Sequence, residues 1–458
     1  MALLSEPLVR VVLDRRTKRL VGGRLVGGDP LRVVRLSDRG SALLDDLLAG
    51  RAAGRAAHAL AARLIDDGIA HPVRPDDEVV DAITVVVPVR DDASGLERCV
   101  TALRGLPVLV VDDGSTDAVA VADVAARCGA HVVWHAVPRG PAAARNTGLA
   151  QVTTPLVAFV DADARISAAA LRTLARWFAD PQIGAVAPRV RPAPSAPTPL
   201  ARFLDARSPL DLGPDAAGVR PWGRVSYVPS TALVCRRTAL GAGFDEGLRY
   251  GEDVDLVWRT IDAGWTVRYD PDVVALHREP ATWLHALRRR ERYGTAAGPL
   301  ARRHGARLAP AVTTPLPALA AILLLARHRA ASAAVTAAGI AILTRRLAGA
   351  GASPTEAIGI ATPGFGAGLL SLSRATTQLA APVLVAGGPV RSAALLAAAP
   401  LAERRRRRAE LGPVRWTAAC IADDVAYGLG VWRGALQHRA WSAVAPVIRR
   451  PATPRLET

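Results

Sequence analysis

The stretch from Ile83 to Asp255 contains a series of short apolar runs, and each run lies beside acidic or polar residues. In chain order the segments read ITVVVPVRDD, VLVVDDGSTD, AARNTGLA, PLVAFVDADA and GEDVDLVWR. Short valine-rich runs bounded by turn residues are typical of strands buried on both faces of a parallel sheet. Ligands of such α/β sheets collect outside the carboxyl ends of the strands. We therefore expect four carboxylates to converge on one crevice: Asp112, Asp113, Asp161 and Asp163.

The segment Phe159-Val160-Asp161-Ala162-Asp163 is the strongest single motif. Positions two apart on an extended segment point the same way, so both carboxylates aim at one object. A hard divalent cation such as Mg²⁺ or Mn²⁺ takes few protein carboxylates and fills its other positions with phosphate oxygens. The motif therefore predicts a metal site. A lone Asp-x-Asp also occurs in ordinary turns and helix caps, and that interpretation stays open.

These motifs, in this order, make residues 80 to 295 resemble the family-2 glycosyltransferases of the GT-A fold. The resemblance implies an α/β core with a Rossmann-like mixed sheet and a nucleotide-diphospho-sugar donor. It also implies that Asp161 and Asp163 bind the divalent metal. By the same resemblance, the residues that contact the nucleotide-sugar are Asp112, Asp113, Arg145, Asn146 and Asp161.

The segment Gly251-Glu252-Asp253 supplies the expected catalytic base. The resemblance implies that Asp253 deprotonates the acceptor hydroxyl in an inverting displacement, with Glu252 as the second choice. A carboxylate can do so only within hydrogen-bond reach of that hydroxyl. Acidic residues are also common in the first turn of a helix, because the helix dipole favours them there. The two roles are compatible.

The segment Arg288 to Gly294 lies where processive members of the family carry a Gln-x-x-Arg-Trp motif, which is absent here. We expect Tyr293 to replace the Trp as a platform for a sugar and Arg292 to contact phosphate or acceptor, because guanidinium matches phosphate oxygens bidentately. The alternative is a solvated basic helix face. Because this motif is missing, the sequence leaves open whether the protein adds sugars processively.

A length of 458 residues predicts about three units, which we delimit at residues 1–75, 80–300 and 305–458. The four cysteines show no paired spacing, which favours a reducing compartment without a zinc site or a disulfide framework. The N-terminal residues carry charge throughout, so we expect no signal peptide.

Residues 1–75 combine short strands, a turn at Gly27-Gly28-Asp29-Pro30, and the segment LSDRGSALLDDLLAG, which reads as a capped amphipathic helix. This pattern resembles the small winged-helix domains that bind precursor peptides during peptide modification. Domains of this shape also bind DNA or brace a neighbouring domain, so the pattern alone leaves these roles open.

The chain changes character at Leu308, where Ala-rich apolar stretches alternate with arginines. We expect a helical, membrane-associated region, although none of the stretches makes a convincing span. The first, Leu308 to Ala326, has 19 residues but contains three prolines. The arginines, the run Arg404 to Arg408 and the net charge of +17 suit an anionic membrane surface, which predicts the cytoplasmic face of the cell membrane. A soluble helical domain is the alternative, and a nucleic-acid partner is not expected.

The segment from Trp416 to Gly434 combines paired acids, glycines and aromatics within an apolar helical pattern. We expect Asp423 and Asp424 to pair with arginines in a membrane-proximal layer. Three aromatic residues either form an interfacial belt, which we favour, or stack on sugar: Trp416, Tyr427 and Trp432.

Nearly end to end, the chain resembles the glycosyltransferases of the mycofactocin system. This resemblance implies transfer of glucose from UDP-glucose to the peptide-derived precursor of a redox cofactor, building a β-1,4-linked chain. One rival is a family-2 transferase that acts on a lipid-linked or cell-wall acceptor. The other is a non-catalytic scaffold that binds peptide, which the intact acidic residues disfavour.

Overall fold

A computed structural model describes residues 9–76, 82–386 and 389–449 of the chain. The described residues form two compact units. The first combines the residues up to Val73 with Leu308–Glu403 and those from Trp441 onward. The second, here called the catalytic unit, contains Arg74–Arg307 and Arg404–Ala440. The expected segment 305–458 is therefore divided between the two units, because its last long helix packs with the central domain.

The N-terminal segment contains two small sheets and two helices. Its elements are β1 (Val11–Leu13), β2 (Lys18–Leu20), β3 (Arg24–Gly27), β4 (Arg32–Arg35), α1 (Asp38–Ala49), α2 (Arg55–Asp66) and β5 (Ala70–Pro72). Strands β2, β3 and β4 form an antiparallel sheet, and β1 pairs with β5. As expected, α1 is capped: the side chain of Ser37 accepts a hydrogen bond from the backbone of Gly40. The winged-helix assignment stays a prediction.

The central sheet lies in the catalytic unit. Its strands are β6 (Ile83–Val89), β7 (Val108–Asp112), β8 (His131–Trp134), β9 (Leu156–Val160), β10 (Ala164–Arg165), β11 (Ile183–Pro192), β12 (Ala217–Gly218), β13 (Ala232–Arg236) and β14 (Thr266–His277). Their order is β10-β14-β11-β13-β9-β6-β7-β8, and β12 pairs with β14. Strands β9, β6, β7 and β8 are parallel, whereas β13 is antiparallel to both of its neighbours. The expected mixed α/β sheet is confirmed.

Strands β7 and β9 are buried along their whole length, as their continuous apolar sequences predict. Because β6, β7 and β9 run in the same direction, their carboxyl ends meet at one edge of the sheet. The helices of this unit are α3 (Ala93–Ala102), α4 (Ala118–Cys128), α5 (Pro141–Gln151), α6 (Ala168–Ala175), α7 (Pro199–Arg207), α8 (Glu252–Asp262), α9 (Trp283–Thr295) and α10 (Ala297–His304).

The C-terminal part is helical, as predicted. It contains β15 (Val312–Thr313), α11 (Pro315–Leu325), α12 (Arg329–Gly349), α13 (Pro354–Ala386), α14 (Pro389–Arg407), α15 (Pro413–His438) and β16 (Val447–Ile448). Short 3₁₀ helices lie at Arg176–Ala179, Arg237–Leu240, Gly305–Leu308 and Trp441–Ala443. Leu20, Val26 and Val33 of the N-terminal strands share one hydrophobic cluster with Leu347 and Ala357. The N-terminal domain therefore shares a core with the C-terminal helices.

Within the described ranges, α12 is the helix whose length and composition suffice to cross a membrane, and α11 is shorter but strongly apolar. The sequence suggested no convincing span here because the uncharged stretch stops before Arg345, whereas the helix continues to Gly349. Four apolar side chains of α11 are exposed: Leu319, Ile322, Leu324 and Leu325.

Helix α15 is held in the catalytic unit by buried ion pairs. The guanidinium of Arg207 on α7 lies 2.8 Å from a carboxylate oxygen of Asp423 and 3.0 Å from one of Asp424. Arg290 on α9 also pairs with Asp423, at 2.9 Å. The expected pairing of these acids with arginines is therefore present, within the catalytic unit. The aromatic-belt interpretation is wrong for Trp416, which is fully buried against Phe203.

We predict that Asp424→Ala destabilises the catalytic unit by about 3–5 kcal/mol, because it leaves the two buried guanidinium groups of Arg207 and Arg290 with Asp423 as their shared carboxylate in this network. Chemical denaturation followed by tryptophan fluorescence measures the loss. The matched control is Glu410→Ala, which removes an exposed partner of Arg202 and should change stability by about 1 kcal/mol or less. Equal effects of the two substitutions would contradict the prediction.

Candidate active site

A cavity of about 920 Å³ opens at the carboxyl ends of β6, β7 and β9. Its wall is strongly charged and comes from several separate segments of the chain. The acidic lining residues are Asp91, Asp92, Asp113, Asp161, Asp163, Glu246 and Glu252, and the basic ones are Arg90, Arg139, Arg145, Arg249 and Arg278. The expected convergence of carboxylates on one crevice therefore holds for Asp113, Asp161 and Asp163.

The neighbouring acids Asp112 and Asp113 occupy different environments. Asp113 lines the cavity, and its carboxylate accepts hydrogen bonds from the backbone of Arg139 (2.8 Å) and of Gly140 (2.7 Å). Asp112 is the last residue of β7 and is buried, where one carboxylate oxygen accepts two hydrogen bonds from Ser115. The expected nucleoside contact of Asp112 is therefore not a cavity-wall contact, because successive residues of a strand point to opposite sides.

Arg145 joins the metal motif to the segment of the expected base. It is buried on α5, and its guanidinium donates to Asp161 (2.6 Å) and to Glu252 (2.9 Å). Burial alone would lower the pKa of Arg145, but these carboxylates raise it above its ordinary value. The side chain is therefore a fixed positive charge at the wall of the cavity.

Asn146, the next residue, anchors a loop. Its side chain exchanges two hydrogen bonds with the backbone of Phe244, each of 2.8 Å, and also donates to Glu246. The loop that follows Phe244 contributes Glu246, Arg249 and Tyr250 to the cavity. Asn146 therefore supports the cavity wall, and its expected place beside the nucleotide stays a prediction.

Asp163 lies next to a histidine that the sequence did not single out. His277 ends β14, and its Nε2 atom lies 3.3 Å from a carboxylate oxygen of Asp163. Burial would lower the pKa of His277, but Asp163 and Glu279 raise it to about 9. Its Nδ1 atom lies 3.8 Å from a carboxylate oxygen of Glu279. The imidazole therefore lies between two carboxylates that favour its charged form, in which both ring nitrogens carry protons and cannot bind a metal.

Asp161 and Asp163 both line the cavity, as the metal motif predicts. In the part of the chain that the structure describes, no group of three or more His, Cys, Asp or Glu side chains is placed to hold a metal ion. Incomplete protein ligation suits a cation that takes its remaining ligands from phosphate oxygens.

Asp253 lies in the first turn of α8, which begins after Gly251. That glycine has a φ of 80°, a conformation that side chains with a Cβ rarely adopt. Burial and the neighbouring charge of Glu252 raise the pKa of Asp253 to about 7, although hydrogen bonds from the backbone of Val254 and Ser230 oppose the shift. A carboxylate with this pKa suits general-base chemistry near neutral pH.

Helix α9 carries the residues expected at the acceptor side. Arg292 is exposed, whereas its neighbours make the ion pairs: Arg289 with Glu279, and Arg290 with Asp423. Tyr293 is half-buried, and burial raises its pKa to about 12, with smaller contributions that include the charge of Asp253. The expected contacts of Arg292 and Tyr293 with the acceptor or the diphosphate stay predictions.

Several functional candidates were not visible in the sequence. His277 and Arg278 lie at or just after the end of β14, and Arg278 pairs with Asp92 at 2.6 Å. Arg139 pairs with Glu246 at 2.9 Å between two loops of the cavity wall. The run VVALHRE resembles the other strand ends of this sheet, and this similarity was the available signal for His277 and Arg278.

The chain is similar to several known proteins. Residues 84–240 match the model of the family described as Glycosyl transferase family 2. The chain is 39% identical to the pre-mycofactocin glycosyltransferase of Mycobacterium tuberculosis, over 96% of this chain and 97% of that protein. It is 26% identical to an N-acetylglucosaminyltransferase of Rhizobium meliloti, over 52% of this chain and 61% of that protein. Among solved structures it is similar to a mannosyltransferase from Pyrobaculum calidifontis in complex with GDP-Man and Mn²⁺, with a TM-score of 0.42, 23% identity and coverage of 77% and 88% of the two chains.

We predict that a reaction using Asp253 as its base accelerates with rising pH, with a midpoint near pH 7 in kcat/KM, because only the deprotonated carboxylate accepts a proton. Glu252→Gln should move the midpoint to lower pH, since it removes the negative charge that raises the pKa of Asp253. The control Glu246→Gln removes a cavity carboxylate that does not contribute to this shift and should leave the midpoint in place. An unchanged midpoint in Glu252→Gln would refute the assignment.

Proposed function

Because this chain belongs to the pre-mycofactocin glycosyltransferases, within glycosyl transferase family 2, we propose that it transfers glucose from UDP-glucose to the peptide-derived precursor of a redox cofactor. Successive transfers build a β-1,4-linked chain. The observation that carries this proposal is the 39% identity across 96% of the chain to a protein of that name. The glycosyltransferase activity itself follows from family membership.

The donor binds in the charged cavity. Asp113 contacts the nucleoside, because its carboxylate is fixed at the wall by the backbone of Arg139 and Gly140. Asp161 and Asp163, which line this cavity, would hold Mg²⁺ or Mn²⁺ beside the diphosphate. When bound, that cation stabilises the negative charge that develops on the leaving diphosphate.

The acceptor side is built around Asp253. This carboxylate takes the proton of the acceptor hydroxyl while the hydroxyl oxygen forms a bond to the anomeric carbon of glucose. The bond between that carbon and the diphosphate breaks at the same time, and UDP leaves. Attack from the face opposite the leaving group inverts the anomeric configuration, so an α-linked donor gives a β-linked product. Arg145 holds Asp161 and Glu252 in place during this step.

The first unit associates with the cytoplasmic face of the cell membrane. Helix α11 exposes Leu319, Ile322, Leu324 and Leu325, and α12 has a length and composition suited to the bilayer. Arg327 lies between these two helices and Arg329 begins α12, where cationic side chains can reach anionic headgroups.

The transfer assay uses the purified full-length protein in mild detergent with Mn²⁺, radiolabelled UDP-glucose and the reduced cofactor precursor. We expect label on the precursor, loss of labelling with EDTA, and little labelling from GDP-mannose or UDP-N-acetylglucosamine. If label appears only after membrane lipid is added, the acceptor is lipid-linked and is not the precursor. The exposed apolar side chains of α11 are the observation that favours this alternative.

A matched pair of variants separates catalysis from scaffolding. Asp163→Ala should weaken Mn²⁺-dependent binding of UDP-glucose, measured by calorimetry, and should abolish product formation in cells. The control is Asp205→Ala, which removes the partner of an exposed ion pair with Arg191. Unchanged cellular product in Asp163→Ala would favour a non-catalytic scaffold.

We predict that the protein floats with vesicles containing phosphatidylglycerol. The double substitution Ile322→Asp and Leu325→Asp should lower the bound fraction by about tenfold or more, because charge on α11 opposes burial of its apolar side chains in lipid. The control Val119→Asp changes an exposed apolar residue of the catalytic unit and should float like the wild type. Equal flotation of the double variant would exclude α11 from the contact.

A further inference from the structure

Arg278 lines the charged cavity, and its backbone is fixed beside the Asp-x-Asp motif. Its backbone nitrogen donates a 3.0 Å hydrogen bond to the carbonyl oxygen of Asp163. This bond continues the pairing of β10 with β14, in which Ala164 lies opposite His277. A phosphate group bound at the metal motif would therefore lie next to the segment that carries the Arg278 side chain.

The guanidinium of Arg278 pairs with another lining residue, Asp92. One carboxylate oxygen of Asp92 lies 2.6 Å from the guanidinium, and the other lies 3.2 Å from it. The Arg278 side chain is 49% exposed and that of Asp92 is 20% exposed, so water reaches the pair. An ion pair in contact with water contributes little to stability, and it therefore opens at low cost.

Asp92 keeps other partners when the guanidinium leaves. It is the N-cap residue of α3, and its carboxylate accepts a 3.0 Å hydrogen bond from the backbone of Gly95. The hydroxyl group of Ser94 donates to the same carboxylate oxygen. Release of Arg278 therefore leaves the cap of α3 intact.

Two other arginines of the cavity wall are less suited to receive a phosphate at this place. Arg145 is buried, and its guanidinium already bridges two carboxylates. Arg139 belongs to the segment whose backbone holds Asp113, the proposed nucleoside contact. Arg278 instead combines a fixed backbone beside the metal motif with a guanidinium that is half exposed.

We infer that Arg278 exchanges its partner when the donor binds: the guanidinium leaves Asp92 and binds a phosphate oxygen of the nucleoside diphosphate. The exchange is favourable because a diphosphate carries more negative charge than one carboxylate and matches the guanidinium bidentately. During transfer the same guanidinium stabilises the charge that develops on the leaving diphosphate. Asp92 is thus a competing partner that holds Arg278 at the cavity wall. The inference deepens the proposed function and rests on it for the place of the donor in this cavity.

The test measures the affinity of the full-length protein for UDP and for uridine by equilibrium dialysis, with EDTA and again with Mn²⁺. Arg278→Gln should weaken UDP binding by about tenfold or more in both conditions, because a charge-assisted hydrogen bond is lost, and should leave uridine binding unchanged. Arg278→Lys keeps the charge and should recover part of the loss. The matched control is Arg127→Gln, which removes an exposed partner of Glu97 on α3 and should bind like the wild type.

Asp92→Asn tests the exchange from the opposite direction. Asparagine caps a helix about as well as aspartate, but it carries no charge that competes for Arg278. Affinity for UDP should therefore rise by about two- to fivefold. The gain should vanish when Asp92→Asn is combined with Arg278→Gln. Thermal melting verifies that each variant is folded, and if Arg278→Gln unfolds, the gain in Asp92→Asn supplies the test.

Three results would overturn the inference: unchanged UDP affinity in folded Arg278→Gln, an equal loss of uridine affinity, or a loss that appears only with Mn²⁺. In the last case Arg278 would act only through the metal motif. If the wild type binds GDP and not UDP, the proposed donor is wrong, and the same comparison with GDP and guanosine decides the role of Arg278. Weaker UDP binding in Arg278→Gln, combined with no transfer to the cofactor precursor by the wild type, would refute the proposed acceptor and support the role of Arg278.

Discussion

The buried guanidinium of Arg145 is the contact on which the arrangement of the active site depends. It bridges Asp161, which follows β9, and Glu252, which begins α8. A buried charge of this kind is stable only while both partners are present, and loss of one partner strongly destabilises the structure. The bridge therefore fixes the Asp-x-Asp motif relative to the helix that carries Asp253, the proposed base, although Arg145 and Glu252 are 107 positions apart in the chain. One side chain thus sets the relative position of the proposed donor and acceptor sides.

The same bridge also adjusts the chemistry of the base. The negative charge of Glu252 raises the pKa of Asp253, and the positive charge of Arg145 lowers it. With burial as the largest contribution, the balance lies at about 7. Asp253 therefore accepts a proton near neutral pH.

The sequence predicted the part of this site that follows from local pattern. Continuous apolar runs indicated parallel strands, and parallel strands bring Asp113, Asp161 and Asp163 to one edge. Local pattern could not predict which of Asp112 and Asp113 lines the cavity, because this depends on the residue at which β7 ends. It also could not find His277, whose place beside Asp163 depends on the pairing of Ala164 with His277 between β10 and β14. That register is set by contacts between segments more than a hundred residues apart.

Local sequence pattern also did not predict how the chain divides into units, because that division depends on contacts between distant segments. The division has a consequence for folding. A change in composition at Leu308 suggested a separate C-terminal region, yet α15 returns to the catalytic unit and pairs with Arg207 across 216 positions of the chain. Until α15 is in place, Arg207 and Arg290 lack their carboxylate partner Asp423. Gly294 and Gly298 of α9 and α10 also lack the backbone of α15 against which they pack. Contacts between such distant segments form late, because closing a long loop costs entropy before the contacts compensate for it. The packing of α7, α9 and α10 against α15 is therefore completed only when nearly the whole chain is available, whereas the parallel strands that precede Asp113 and Asp161 need only the residues between β6 and β9.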